Sequence, residues 1–230
     1  MSSPITSSTV RAGALCGVLS GLLLALPALI EVFTGETSAT SVPLALSPAF
    51  ALPLLTALHR RQSPATGRFG DVAHTVNLIG LGLFGGAAFA ANLVLFYFDD
   101  DVLDETLTGP TIPVLIGSAT VFAVGCALFG ASLLRARVFP RIPSWGYAVV
   151  LPLFAFLTSL PESLLTSSLH ILVGVILIWL SAALLHTSRT GETPEAPHTD
   201  EPERNGSLGH RAVAGESADR VGDGPVGPVR

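Results

Sequence analysis

The chain has 230 residues, a net charge of −5, only 13% charged residues and a mean hydropathy of +0.61. All twelve basic residues are arginine; lysine does not occur. An ordinary soluble domain carries charge on about a quarter of its residues, so this composition excludes one, and the small, uneven charge gives no basis for a nucleic-acid partner.

Uncharged stretches lie between Arg11 and Glu31, Glu36 and Arg60, Asp71 and Asp99, Glu105 and Arg135, Arg141 and Glu162, and Glu162 and Arg189. Each is close to or above the ~20 residues an α-helix needs to cross a hydrocarbon layer of about 30 Å. Backbone amides must be paired inside lipid, and none of these stretches alternates as a barrel strand does. The pattern predicts an all-α, six-helix transmembrane bundle over residues 1–187, with spans near 12–32, 42–59, 73–97, 112–134, 144–160 and 167–187.

The first span carries Gly13, Gly17 and Gly21 at four-residue spacing, a stripe of small side chains that lets helix backbones approach in lipid. It is long for a secretion signal and is followed by "TSATS", a poor cleavage site, so a retained signal-anchor helix is expected. Cys16 here and Cys126 in the fourth span read as small packing residues. Pro27 lies four residues before Glu31 at the span's end. The second span contains Pro48 and Pro53 and the fifth Pro152; these two spans are the shortest and occupy matching places in two halves of three helices. Short, proline-broken helices at equivalent positions of inverted halves are where carriers place substrate.

The third span begins with His74 and Asn77, near His59 of the second; two histidines are too few to specify a metal site. Its stretch "IGLGLFGGAAFAANL" has the glycine spacing of a dinucleotide loop at Gly80, Gly82 and Gly85. That loop needs a following helix and a second strand before its acid; between Gly86 and Asp99 there is no room for both. Gly82, Gly86 and Ala90 are therefore read as a second helix-packing stripe. The acidic "FDDDVLDET" that follows lacks the glycine and terminal glutamate of a calcium loop and reads as a solvated loop. Phe96, Tyr97 and Phe98 before it, and Trp145 and Tyr147 at the start of the fifth span, fit interfacial aromatic belts.

Between the fourth and fifth spans runs "RARVFPRIPSWGYAVVL", in which Pro140 and Pro143 stop helices and arginines meet head groups. Residues 130–187 resemble small uncharacterised multi-pass bacterial integral membrane proteins, a resemblance that brings no catalytic or ligand residues with it. After His186 the composition turns to Gly, Pro, Glu, Asp, Ser and Thr, which predicts a disordered cytoplasmic tail over 188–230.

Arg11, Arg60, Arg61, Arg68, Arg135, Arg137, Arg141 and Arg189 fall on one side of the spans, and Glu31, Glu36, the Asp99 to Glu105 cluster and Glu162 on the other. The arginine side is expected to be cytoplasmic, with both termini inside and the protein in the cell membrane. Glu31, Asn92, Glu162 and His170 share the opposite half. They read either as a polar cluster that exchanges protons or holds a cation, or as wet interface groups with His170 bonded to a backbone carbonyl.

The resulting expectation is a non-enzymatic membrane component, a scaffold, interaction partner or sensor, with no metal and no cofactor. Its partners are the lipid bilayer, and a second copy or other membrane proteins are open to it; no nucleic acid is expected. The alternative is a small permease or ion-coupled carrier of a small molecule or ion, with its site between helices 2 and 5. A remote alternative is an intramembrane serine protease resembling rhomboids, with "GAS" at Gly130 to Ser132 echoing their serine motif. Ser132 and His170 fall at opposite depths, and Ser118, at the right depth, lacks the family's glycine-flanked setting.

Overall fold

The computed structural model describes residues 4–158 and 164–190, and among them every regular element is helical. The helices are α1 (Pro4–Thr34), α2 (Ser38–Leu93), α3 (Asp100–Thr106), α4 (Thr111–Ala136), α5 (Arg141–Leu157) and α6 (Leu164–Thr190), with a single 3-10 turn at Leu95–Tyr97. Four stretches, Ser8–Thr34, Ser38–Tyr97, Thr111–Ala136 and Leu164–Thr187, are long and apolar enough to cross a membrane; Arg141–Leu157 is a shorter apolar helix. Glu162 and residues 191–230 lie outside the described residues.

Helix α2 begins with a capping box in which the Thr37 and Thr40 side chains each accept from the other's backbone N–H. It is one element only nominally, because Gly67 leaves the helix at φ 51°, ψ −144°. A side chain at that conformation is strained, whereas glycine adopts it freely. The two arms, 38–66 and 68–93, fold back on each other. His59 and His74 stack with centroids 4.3 Å apart, and a Cβ on Gly85 would lie 2.9 Å from Pro48 Cβ. Both pairs are centred on the same point, between Thr66 and Gly67, as an antiparallel hairpin requires. The expected loop between the second and third spans is therefore almost wholly helical, with the reversal at one residue.

The prolines do not break the helices. Within α2 only Gly67 departs from helical dihedrals, so Pro43, Pro48, Pro53 and Pro64 are carried through, and Pro152 lies inside an uninterrupted α5. Each proline forfeits one ladder hydrogen bond, a loss that neighbouring helices and hydroxyl side chains compensate inside a bundle. Beside Pro48, Ser20 Oγ donates to the Ser47 carbonyl at 2.9 Å and Ser47 Oγ to the Ser20 carbonyl at 3.1 Å, tying α1 to the first arm of α2.

α1 packs between α6 and α2, α4 between α2 and α5, and α5 against α6, so the segments follow one another in a closed order. Glycines set the closest approaches. A Cβ on Gly13 would fall 2.7 Å from the Pro53 carbonyl oxygen, on Gly21 2.5 Å from that of Gly174, and on Gly80 2.5 Å from Phe122 Cα. Gly17 faces the Ser181 hydroxyl and Leu54. The stripe in the third span lies elsewhere than expected. Gly82 and Gly86 meet nothing within 4 Å and Ala90 is exposed, while Gly80 and Gly85 make the contacts. Two residues along a helix turn the side-chain direction by about 200°, so the set at 82, 86 and 90 points away from the face that holds Gly80.

The fully buried centre contains Leu54, Leu58, Phe129, Leu133, Leu180 and Leu184. Large apolar side chains also cover the outside, including Leu15, Leu26, Phe33, Val114 and Ile142. A water-facing monomer exposes no continuous apolar surface of that kind. At one end Arg61 Nη2 donates to the Thr187 carbonyl at 3.4 Å and the Arg135 guanidinium lies 4.9 Å from the Phe69 ring centre. This brings the α2 turn and the ends of α4 and α6 together at an arginine end.

Candidate ligand cavity at the acidic end

At the other end a cavity of about 850 Å³ opens between the helices. Glu31 of α1, Asn92 of α2 and His170 of α6 all line it, so three of the four predicted polar residues share one space; the fourth, Glu162, lies outside the described residues. The first arm of α2 contributes Ser47 and Pro48, and α5 contributes Leu151 and Phe154. The cavity is thus lined by α1, both arms of α2, α4, α5 and α6, the first arm of α2 and α5 being helices that the prolines leave intact.

The polar residues differ in how they are bound. Glu31 is 9% exposed, and its Oε1 has no hydrogen-bond partner. Asn92 Nδ2 donates to the Ala88 carbonyl at 2.8 Å, one turn back in its own helix. His170 holds Nδ1 2.9 Å from the Thr166 carbonyl, an obligate acceptor, so that nitrogen carries the proton. The imidazole also meets Phe154 edge to face at 4.8 Å, which orients the ring.

The apolar wall is aromatic at its centre. Phe84 stacks on Phe122 with centroids 4.6 Å apart and meets Phe154 at 6.0 Å. Reading the sequence alone misses these three, because phenylalanine inside an apolar span gives no signal. Ser20 and Ser47, hydroxyls inside such spans, offered a signal that the sequence reading did not use. The acidic segment is likewise not a plain loop: residues Asp100–Thr106 form α3, and Leu103 and Leu107 line the cavity. Asp99, Asp101 and Glu105 are exposed on this segment.

Toward the arginine end, Tyr147 also lines the cavity and is 4% exposed. It is a core residue and not part of an interfacial belt; Trp145, 58% exposed, does face outward. Asn77 Nδ2 donates to the Tyr147 hydroxyl at 2.7 Å, and Cys126 Sγ donates to Asn77 Oδ1 at 3.3 Å. Cys126 is thus a bonded group as well as a packing one. Below them His59 Nε2 lies 3.4 Å from Asp71 Oδ1. Among the described residues no group of three or more His, Cys, Asp or Glu side chains could hold a metal ion.

No family model, curated protein or solved structure matches the chain.

Proposed function

We propose that the chain crosses the membrane six times and is a small carrier that takes a largely apolar solute into the cavity at its acidic end. The two arms of α2 supply two crossings, and α1, α4, α5 and α6 the others. The arginine end is placed in the cytoplasm, with both termini, because arginines in short loops stay on that side. The observation that carries the reading is the meeting of Glu31, Asn92 and His170, from both halves of the chain, in one cavity whose lining includes the second and fifth crossings. A scaffold needs only a dry, closely packed centre with polar groups at its rim.

The neighbour pattern supports it. Exchanging the first three crossings for the last three maps the α1 and α6 contact onto that between α4 and the second arm of α2. Inverted repeats that rock against each other around a central site must meet this condition, which any closed ring in chain order also meets. A sensor that binds without carrying is the second reading, favoured by the bonded Asn77, Tyr147 and Cys126 group between cavity and arginine end. The protease reading finds no support in Ser118, whose hydroxyl donates to the Val114 carbonyl of its own helix at 2.8 Å.

The test is labelling of Ala51→Cys, a cavity-lining position, in a Cys16→Ser, Cys126→Ala background in sealed vesicles. A carrier reacts with an impermeant maleimide from the acidic side and, more slowly, from the arginine side. Reaction from the acidic side alone selects the sensor, and none from either side overturns the cavity reading. Reporter fusions that place residues 67 and 101 in one compartment overturn the six crossings.

A further inference from the structure

Resting on the cavity reading above, we infer that the solute is a lipophilic monocation and that Glu31 is its counter-charge. Glu31 is 9% exposed, it lines the cavity, and one of its carboxylate oxygens is without a hydrogen-bond partner. A buried carboxylate oxygen left bare is costly, and a positive charge in the cavity lessens that cost by Coulombic attraction, with no donated hydrogen bond required. Among the described residues no arginine lines the cavity, and a second carboxylate on the lining, Glu36, is exposed at the rim. An anion would meet these acids and no fixed cation among the described residues.

The walls narrow the class further. Phe84, Phe122 and Phe154 line the cavity together, and aromatic faces attract a cation that has shed its water. The remaining wall is largely aliphatic, such as Leu44, Leu81 and Leu151. Among the described residues no three His, Cys, Asp or Glu side chains are grouped so as to hold a metal ion, and a hard cation needs such a set of oxygen ligands. An organic ammonium or phosphonium ion satisfies both the carboxylate and the rings. The volume of about 850 Å³ is of the size that holds a drug-sized molecule. At the mouth, Asp101 and Glu105 of α3 are exposed while Leu103 and Leu107 line the cavity, and no arginine occurs between Arg68 and Arg135. A one-signed entrance of this kind concentrates cations.

The experiment uses the purified full chain in uncharged lipid discs, with saturable binding of tetraphenylphosphonium measured above empty discs. The isosteric anion tetraphenylborate serves as the shape control. Saturable binding of the cation but not of the anion is expected, with at least tenfold weaker cation binding in Glu31→Gln at an unchanged unfolding temperature. Equal binding of both ions, or cation binding undiminished in Glu31→Gln, overturns the charge assignment and leaves the cavity reading standing. Binding of neither ion overturns both. Should Glu31→Gln fail to fold, the discrimination between cation and anion by the unaltered chain decides alone.

Discussion

Asn77 and Tyr147, seventy positions apart in the chain, meet through a 2.7 Å hydrogen bond from Nδ2 to the phenol oxygen where the cavity ends toward the arginine side. Asn77 is wholly buried and also accepts from Cys126, so the second arm of α2, α4 and α5 share one polar knot. Removing one partner strands the other. Tyr147→Phe should therefore lower stability by about 1–3 kcal/mol, and the Asn77→Leu, Tyr147→Phe pair by less than the two single changes summed. Thermal or denaturant unfolding in detergent reads both; strictly additive losses would show that the contact carries no coupling.

Glycines two residues apart should behave oppositely. Gly80→Ala places a methyl 2.5 Å from Phe122 Cα, against rigid backbone, while Gly82→Ala points into open space. The first should destabilise by about 1–3 kcal/mol. The second should be neutral or stabilising by up to about 1 kcal/mol through helix propensity. Unfolding temperatures of the two variants, measured side by side, check the assignment of faces.

Gly67→Ala tests the hairpin. At φ 51°, ψ −144°, alanine is strained, and a loss of about 1–3 kcal/mol is expected although nothing lies within 4 Å of the position. A variant as stable as the unaltered chain would mean that the reversal is made elsewhere.

Gln62→Leu should stabilise the protein. Gln62 is fully buried, and neither atom of its side-chain amide has a hydrogen-bond partner. Replacing it with an apolar group of similar volume removes a desolvated amide and should gain about 1–3 kcal/mol. Denaturant midpoints measure this, and a loss of similar size would assign the amide a partner.

The order and approximate limits of the apolar segments were legible in the sequence, because a charged side chain in hydrocarbon is expensive and marks a boundary without reference to any neighbour. The same reasoning picked out Glu31, Asn92 and His170, polar residues standing in or beside apolar runs. It could not assign faces. Gly80 and Gly82 are equivalent in composition and spacing, and only the position of α4 decides which of them packs. Tyr147 read as a belt residue for its place near a span end, until Asn77, distant in sequence, was seen to bond it. The prolines suggested broken helices, yet the backbone runs through them and the reversal falls at Gly67.

The chain's alternation of charge and apolarity by itself determined that it is helical and how its apolar segments are spaced, since hydrophobic transfer and backbone pairing act on each segment separately. Which segments touch, where a cavity is left, and that Glu31 lines it with one carboxylate oxygen lacking a hydrogen-bond partner were decided only by tertiary packing, because these depend on the shapes of several helices at once.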